Sequence, residues 1–249
     1  MFLTRTANLL CDAALALVYP QSCAVCSGSV ESRVYGIACG RCWRETRTFA
    51  GGETICWKCG ALTSGNITKE KREQVRCGRC DQEAFTAARA CGVYEGALRA
   101  SVLALKHEPH ICPRLIELLV RAQRRAPLNE ATRIVAVPLH TKREKGRGFN
   151  QAAVIGRELS RATGLPLDEV SVVRTSYSER HRAGMDERSR RETVENAFQV
   201  CHVKMIAGER ILLVDDVFTT GATVSSCAKS LKCAGASDVF VLTIARPLY

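Results

Sequence analysis

Ile211-Leu212-Leu213-Val214-Asp215-Asp216-Val217-Phe218-Thr219-Thr220-Gly221-Ala222-Thr223 is the stretch on which the reading of this chain turns. Ile211 to Val214 is an unbroken aliphatic run, the pattern of a strand buried on both faces of a parallel sheet. Two adjacent carboxylates follow, then a turn of small and hydroxyl-bearing residues. Val224, Cys227 and Leu231 recur at helical spacing, which predicts a helix over 224–234. Strand, acid pair, turn and helix start in that order form an α/β ligand site at the carboxyl end of a strand.

The two halves of this stretch ask for different chemistry. Backbone N–H groups of a glycine-containing turn at a helix start favour a phosphate, and threonine hydroxyls add donors. Asp215 and Asp216 repel that same phosphate, and suit a polyol or a divalent cation. A ribose 5-phosphate satisfies both halves. An ATPase-type acidic strand end is the competing reading, but no G-x-x-x-x-G-K-[ST] run occurs in the chain. A structural turn without a ligand is the bland alternative.

Working outward, Ile134 to Pro138 reads as a second buried strand that must stop at the proline. Lys142, Arg143, Lys145 and Arg147 then fall in a glycine-containing loop ahead of a helix predicted over 151–163, a second polyanion site in the same sheet. A solvated charged loop is its plain alternative. Residues 87–94 suggest a first strand, 95–107 and 113–126 helices, and 238–245 a last strand. Between 174 and 198, Arg174, Arg180, Arg182, Arg188, Arg190 and Arg191 alternate with acids, which alone supports only a solvated face.

The first third of the chain has a different texture. Of the 249 residues 14 are cysteine, and eight of these form four C-x-x-C pairs: Cys23/Cys26, Cys39/Cys42, Cys56/Cys59 and Cys77/Cys80. Each pair brings two thiolates to one tetrahedral ion, and two pairs close a Cys₄ site. Taken in sequence order they predict two structural Zn²⁺ ions, with crossed pairing as the alternative. Gly40, Gly60 and Gly78 sit where the turns need a permissive backbone. Residues 7–18 are apolar but short and contain Asp12, so no export signal and no transmembrane segment are expected. A cytoplasmic setting and metal, rather than disulfides, follow. Cys11, Cys91, Cys112, Cys201, Cys227 and Cys233 read as free buried thiols.

Composition excludes little else. Hydrophobic residues make up 46% and charged residues 24%, ordinary for a globular protein. The formal charge is +11, and eight zinc-bound thiolates with two Zn²⁺ would bring it to +7. That balance admits single-stranded DNA as a partner, although aromatics are only 6%, leaving Trp43 and Trp57 beside the knuckles as the best stacking candidates, with packing inside the ribbon as their equal alternative.

The Ile211–Thr223 run resembles the signature of type I phosphoribosyltransferases, which bind 5-phosphoribosyl 1-pyrophosphate (PRPP). Arg147 to Gln151, Tyr19-Pro20, Tyr94-Glu95-Gly96, Leu105-Lys106, Val137-Pro138 and Asn196-Ala197-Phe198 sharpen the likeness to ComF-type proteins, associated with DNA uptake. The resemblance implies an α/β fold, a type I phosphoribosyltransferase-like parallel sheet with helices on both faces, preceded by a small double zinc-ribbon module. It divides the chain into an N-terminal amphipathic helix within 1–20, a double zinc ribbon over 21–82 and a phosphoribosyltransferase-like domain over 83–249, with a hood at about 170–200. It places the ribose hydroxyls on Asp215 and Asp216, and the 5′-phosphate on Thr219, Thr220, Gly221, Ala222 and Thr223. Lys142, Arg143, Lys145 and Arg147 with Lys106 would face the remaining phosphates, and Mg²⁺ would accompany PRPP. A helicase-like DNA-uptake partner is implied by the resemblance alone. Three functions stay open: a PRPP-binding ComF-type protein, a single-stranded-DNA accessory that does not turn PRPP over, and an active (amido)phosphoribosyltransferase dependent on Mg²⁺.

Overall fold

The computed structural model describes residues 21–63, 65, 69–175 and 197–248. The N-terminal helix expected within 1–20 lies outside the described residues, as do Arg180, Arg182, Arg188, Arg190 and Arg191 of the expected hood.

Among the described residues seven strands form, in chain order β1 (Ala87–Val93), β2 (Arg133–Ala136), β3 (Leu167–Asp168), β4 (Val172–Arg174), β5 (Phe198–Val200), β6 (Arg210–Val217) and β7 (Asp238–Arg246). Five of them make one parallel sheet in the order β1-β7-β6-β2-β3, and β4 pairs antiparallel with β5. The aliphatic run behaves as its composition dictates: Ile211, Leu212, Leu213 and Val214 are each 0% exposed at the centre of the sheet. Burial of each such side chain is worth about 1.5–3 kcal/mol, which fixes β6 as the central strand. It runs three residues further than its apolar run, through Asp215 and Asp216 to Val217, because backbone pairing with Thr243 and Ala245 of β7 continues beyond Val214.

Six helices are described: α1 (Gly40–Glu45), α2 (Gly96–Ala104), α3 (Pro113–Gln123), α4 (Thr141–Arg147), α5 (Gln151–Thr163) and α6 (Ala222–Cys233). Pro113 opens α3 where a missing N–H is harmless, and Leu115, Leu118, Leu119 and Ala122 form its buried stripe. α3 and α5 pack together on one face of the sheet. α6 joins β6 to β7 in the opposite direction, so a right-handed crossover carries it to the other face. The expected helix ends at 107 and 126 fall earlier, at Ala104 and Gln123, and α6 starts earlier, at Ala222. The expected basic loop is instead the short helix α4, which His140 starts by accepting the Lys142 N–H and left-handed Gly148 closes.

The cysteine pairs combine in sequence order. Cys23, Cys26, Cys39 and Cys42 form one tetrad, and Cys56, Cys59, Cys77 and Cys80 the other, with the sulfur atoms of each within 4.8 Å of one another. These are two Cys₄ zinc-binding sites. The Cys39 amide points at Cys23 Sγ at 3.2 Å, orienting a thiolate. In the second tetrad Cys56 is held down to about 4, first by the side-chain hydrogen bond with Cys59, and that bond pushes Cys59 up. Burial pushes Cys80 up to about 12. Four thiolates this close ionise together only around a divalent cation, so the residues fit Zn²⁺. Gly60, at φ +71°, makes its knuckle in the left-handed region, and a Cβ there would sit 2.6 Å from the Ala88 carbonyl. Gly78 is also left-handed, whereas Gly40 begins α1 and needs no such freedom. Of the other cysteines, Cys91, Cys112 and Cys227 are buried as expected, but Cys201 and Cys233 are exposed, lying in a turn and at the last position of α6.

The cysteine module is built onto the sheet rather than tethered to it. Residues 47–49 run antiparallel along the free edge of β1, with Phe49 N bonded to Cys91 O at 2.7 Å, which shields that edge. The Ala88 N–H donates to Lys58 O at 2.6 Å. Arg246, the last residue of β7, donates to Cys59 O at 2.5 Å. Replacing Cys56 by Ser is therefore expected to lower bound zinc from two ions per chain to one by mass spectrometry of metals, and to lower the unfolding temperature of the whole protein.

Candidate functional site

The sheet's strand order positions one crevice. From β2 the chain crosses outward to β3, and from β6 it crosses the other way to β7, so the connections diverge between adjacent strands β2 and β6. A crevice opens at the carboxyl ends of strands at such a point, and ligands of open α/β sheets bind there. Asp215 and Asp216 stand on β6 at that end, and the residues following β2 face them across the gap.

The turn after the acids is held from below. Phe218 N donates to Ala245 O at 3.0 Å, and the Phe218 ring packs edge-on to Phe85 at 5.8 Å and under the Arg246 guanidinium at 5.1 Å. Gly221 sits above that ring with φ +85°, and a Cβ there would meet Phe218 Cζ at 2.8 Å. Only glycine fits both demands. Gly221 then caps α6, and the Ala222 N–H lies 3.4 Å from Thr220 Oγ1. Thr219 is exposed, and Thr220 and Thr223 are half-buried, around the start of α6.

The acids are electrostatically strained. Both are half-buried, and the Asp216 N–H donates to Asp215 Oδ1 at 2.9 Å. Burial, followed by the Asp216 charge, pushes Asp215 up to about 8, with the Asp216 amide and Arg174 opposing. Burial also raises Asp216, against the Val217 amide and the charges of Lys106 and Arg147. Three cations from three separate segments thus converge: Lys106 just after α2, Arg147 at the end of α4 and Arg174 at the end of β4.

Arg174 was not among the residues the sequence marked for the pocket, although it stood in the arginine-rich stretch. It lies over the Phe198 ring at 5.5 Å, is made less basic first by burial and then by Arg143, and feels Asp215 in turn. Its Nε is buried without a hydrogen-bond partner. The β4–β5 ribbon that carries it is anchored by Ser230 Oγ of α6, which donates to Phe198 O at 2.9 Å. Lys142 and Lys145 are exposed on α4, while Arg143 and Arg147 are half-buried. Arg147 donates to Gln151 Oε1, and Asn150 caps α5 through the Ala152 N–H while its own amide reaches Val137 O at 3.0 Å. Helix α4 is thereby fixed to the end of β2.

The proposed stacking residues fare differently. Trp43 is 3% exposed and donates its indole N–H to Tyr35 O at 2.8 Å, so it is packing and not a platform. Trp57 is half-buried, with the Arg89 guanidinium 4.8 Å over its ring. No helix among the described residues is long and apolar enough to cross a membrane.

Comparison with known proteins gives these observations a relative. Residues 14–81 match the double zinc ribbon domain family. The chain is 32% identical over 240 residues to the DNA utilization protein YhgH of Escherichia coli K12, covering 93% of this chain and 100% of that protein. It is 28% identical over 235 residues to competence protein F of Haemophilus influenzae, covering 90% of this chain and 96% of that one. A solved glutamine PRPP amidotransferase from B. subtilis aligns with 59% of this chain and 26% of its own, at 19% identity and a TM-score of 0.34. The full-length identity to YhgH, together with the two cysteine tetrads in front of a parallel sheet, shows that this chain belongs to the family of these DNA utilization and competence proteins, the ComF family.

Proposed function

We propose that this protein binds PRPP with Mg²⁺ in the crevice between β2 and β6, and that it serves the handling of DNA in the cytoplasm. The observation that carries the reading is the convergence of Lys106, Arg147 and Arg174 on an acid pair directly ahead of a glycine-capped helix. Asp215 and Asp216 take the ribose hydroxyls, and Thr219 to Thr223 the 5′-phosphate. Lys106, Arg143 and Arg147, with Lys142 and Lys145 at the rim, neutralise the pyrophosphate. Mg²⁺ fits because two crowded, half-buried carboxylates are relieved by a divalent cation, and it would supply charge neutralisation between acids and phosphates.

Release of pyrophosphate from PRPP in the presence of ammonia or nucleobases decides between a ligand-binding protein and a transferase. The DNA role rests on the family and on the +11 formal charge. With Trp43 buried and Trp57 covered on one face by Arg89, affinity for a single strand must come from phosphate contacts.

Three outcomes are expected. Asp216→Asn should weaken PRPP binding with Mg²⁺ by tenfold or more in calorimetry, and unchanged affinity would sink the assignment. Asp215, raised from 3.8 to about 8, binds a proton in the folded state that the unfolded chain has released, so its ionisation opposes folding. Stability from this residue is present below pH about 4 and is lost as pH rises through about 8. Asp215→Asn is thus expected to raise the melting temperature of the ligand-free protein at pH 7–8 by a few degrees and to flatten its pH dependence. For DNA, a plot of log K against log salt should fall steeply, and a flat line would exclude phosphate contacts.

A further inference from the structure

Between the second cysteine tetrad and the outer edge of β1 lies a cavity of about 400 Å³ that shares no residue with the acid-pair crevice. Its wall contains Arg72, Arg89 and Arg125 with Phe49 and Trp57, and Glu53 is its one carboxylate. Each arginine is held by backbone carbonyls. Arg72 donates to Gly51 O and Gly52 O at 3.0 and 3.1 Å, Arg89 to Trp57 O and Ala88 O at 2.8 Å, and Arg125 to Phe49 O. Carbonyls take up hydrogens but cancel no charge. None of the three is ion-paired among the described residues, and Arg72 Nε is buried with no partner at all.

Glu53 accepts the Ala50 and Gly51 N–H groups at 2.5 and 2.8 Å, and its charge also acts on Arg125, so one carboxylate stands against three guanidinium groups. Arg89 is only 5% exposed. Burial, then repulsion from Arg125 and Arg76, brings it down to about 10, although the Cys56 and Cys59 thiols pull the other way. Counter-charge for the cysteine tetrad is therefore a sufficient reason for Arg89. It does not explain Arg125, which is made less basic first by burial and on which Glu53, Arg121 and Cys91 act rather than the tetrad.

We propose that this cavity binds a small phosphate monoester of mononucleotide size, its phosphate held among Arg72, Arg89 and Arg125. Guanidinium groups are the preferred partners of phosphate oxygens, because their planar donor pairs match them. The volume falls within the range of small-molecule sites, and the apolar sides of Phe49 and Trp57 suit the non-phosphate part. The site is independent of the PRPP pocket, which lies two strands away on β6.

The test is calorimetry on the zinc-loaded full chain carrying Asp216→Asn, with deoxyadenosine monophosphate as the probe. The nucleotide is expected to bind this variant as it binds the wild type, and inorganic phosphate to bind more weakly. Arg125→Gln and Arg72→Gln should each reduce affinity tenfold or more with zinc content unchanged; if Arg125→Gln fails to fold, Arg72→Gln decides. Absence of binding would reduce the arginines to structural counter-charges and overturn the proposal, as would loss of binding through Asp216→Asn or full retention in the arginine variants. A thymidine oligomer without a terminal phosphate that displaces the nucleotide at lower concentration would reassign the cavity to a nucleic-acid backbone, and so overturn it too.

Discussion

Two carboxylates on successive residues cannot both ionise freely in a half-buried crevice, and much of this structure answers that constraint. Asp215 and Asp216 stand at the end of β6 because the sheet pairing continues past the aliphatic run, holding both acids in extended backbone. Burial and mutual repulsion raise their proton affinity. Lys106, Arg147 and Arg174 oppose that rise, and each arrives on a different segment. Such a cluster is poorly satisfied by itself and well satisfied by a ligand that carries hydroxyls, phosphates and a divalent cation together.

The same turn ties the two modules of the chain. Phe218 supports Gly221 from beneath, Arg246 covers Phe218, and Arg246 is in turn anchored on the carbonyl of Cys59. A zinc knuckle is thus two contacts from the turn that opens α6. Residues 47–49 along the edge of β1, and the bond from Ala88 to Lys58, add to this attachment. The cysteine module is therefore fastened to the sheet at several points, and the arginine-lined cavity lies in the seam between them.

Much of this was legible in the order of residues. The C-x-x-C spacings announced two Cys₄ sites and favoured pairing in sequence order while leaving crossed pairing open, and the structure brings the pairs together in sequence order. Ile211–Val214 announced a buried strand as an unbroken aliphatic run, and Leu115–Ala122 an amphipathic helix through its periodicity. Elements written in mixed polarity were harder. The stretch 141–147 reads as a loop because its seven residues carry no apolar stripe, yet capping by His140 and Gly148 folds it as a helix. Trp43 resembled an exposed platform only because its burial depends on Tyr35, eight residues away.

By itself the sequence determined that eight cysteines make two metal sites, the parallel α/β class and the acid–turn–helix signature, since each depends on local spacing or on a run of one polarity, while the structure decided which pairs share an ion. Tertiary structure decided which cations serve the acids. Lys106, Arg147 and Arg174 are separated by tens of residues and meet only because adjacent strands β2 and β6 send their connections in opposite directions, opening one crevice where those segments end. It also decided that Arg72, Arg89 and Arg125 share a cavity, for charge alone does not say which guanidinium groups point the same way.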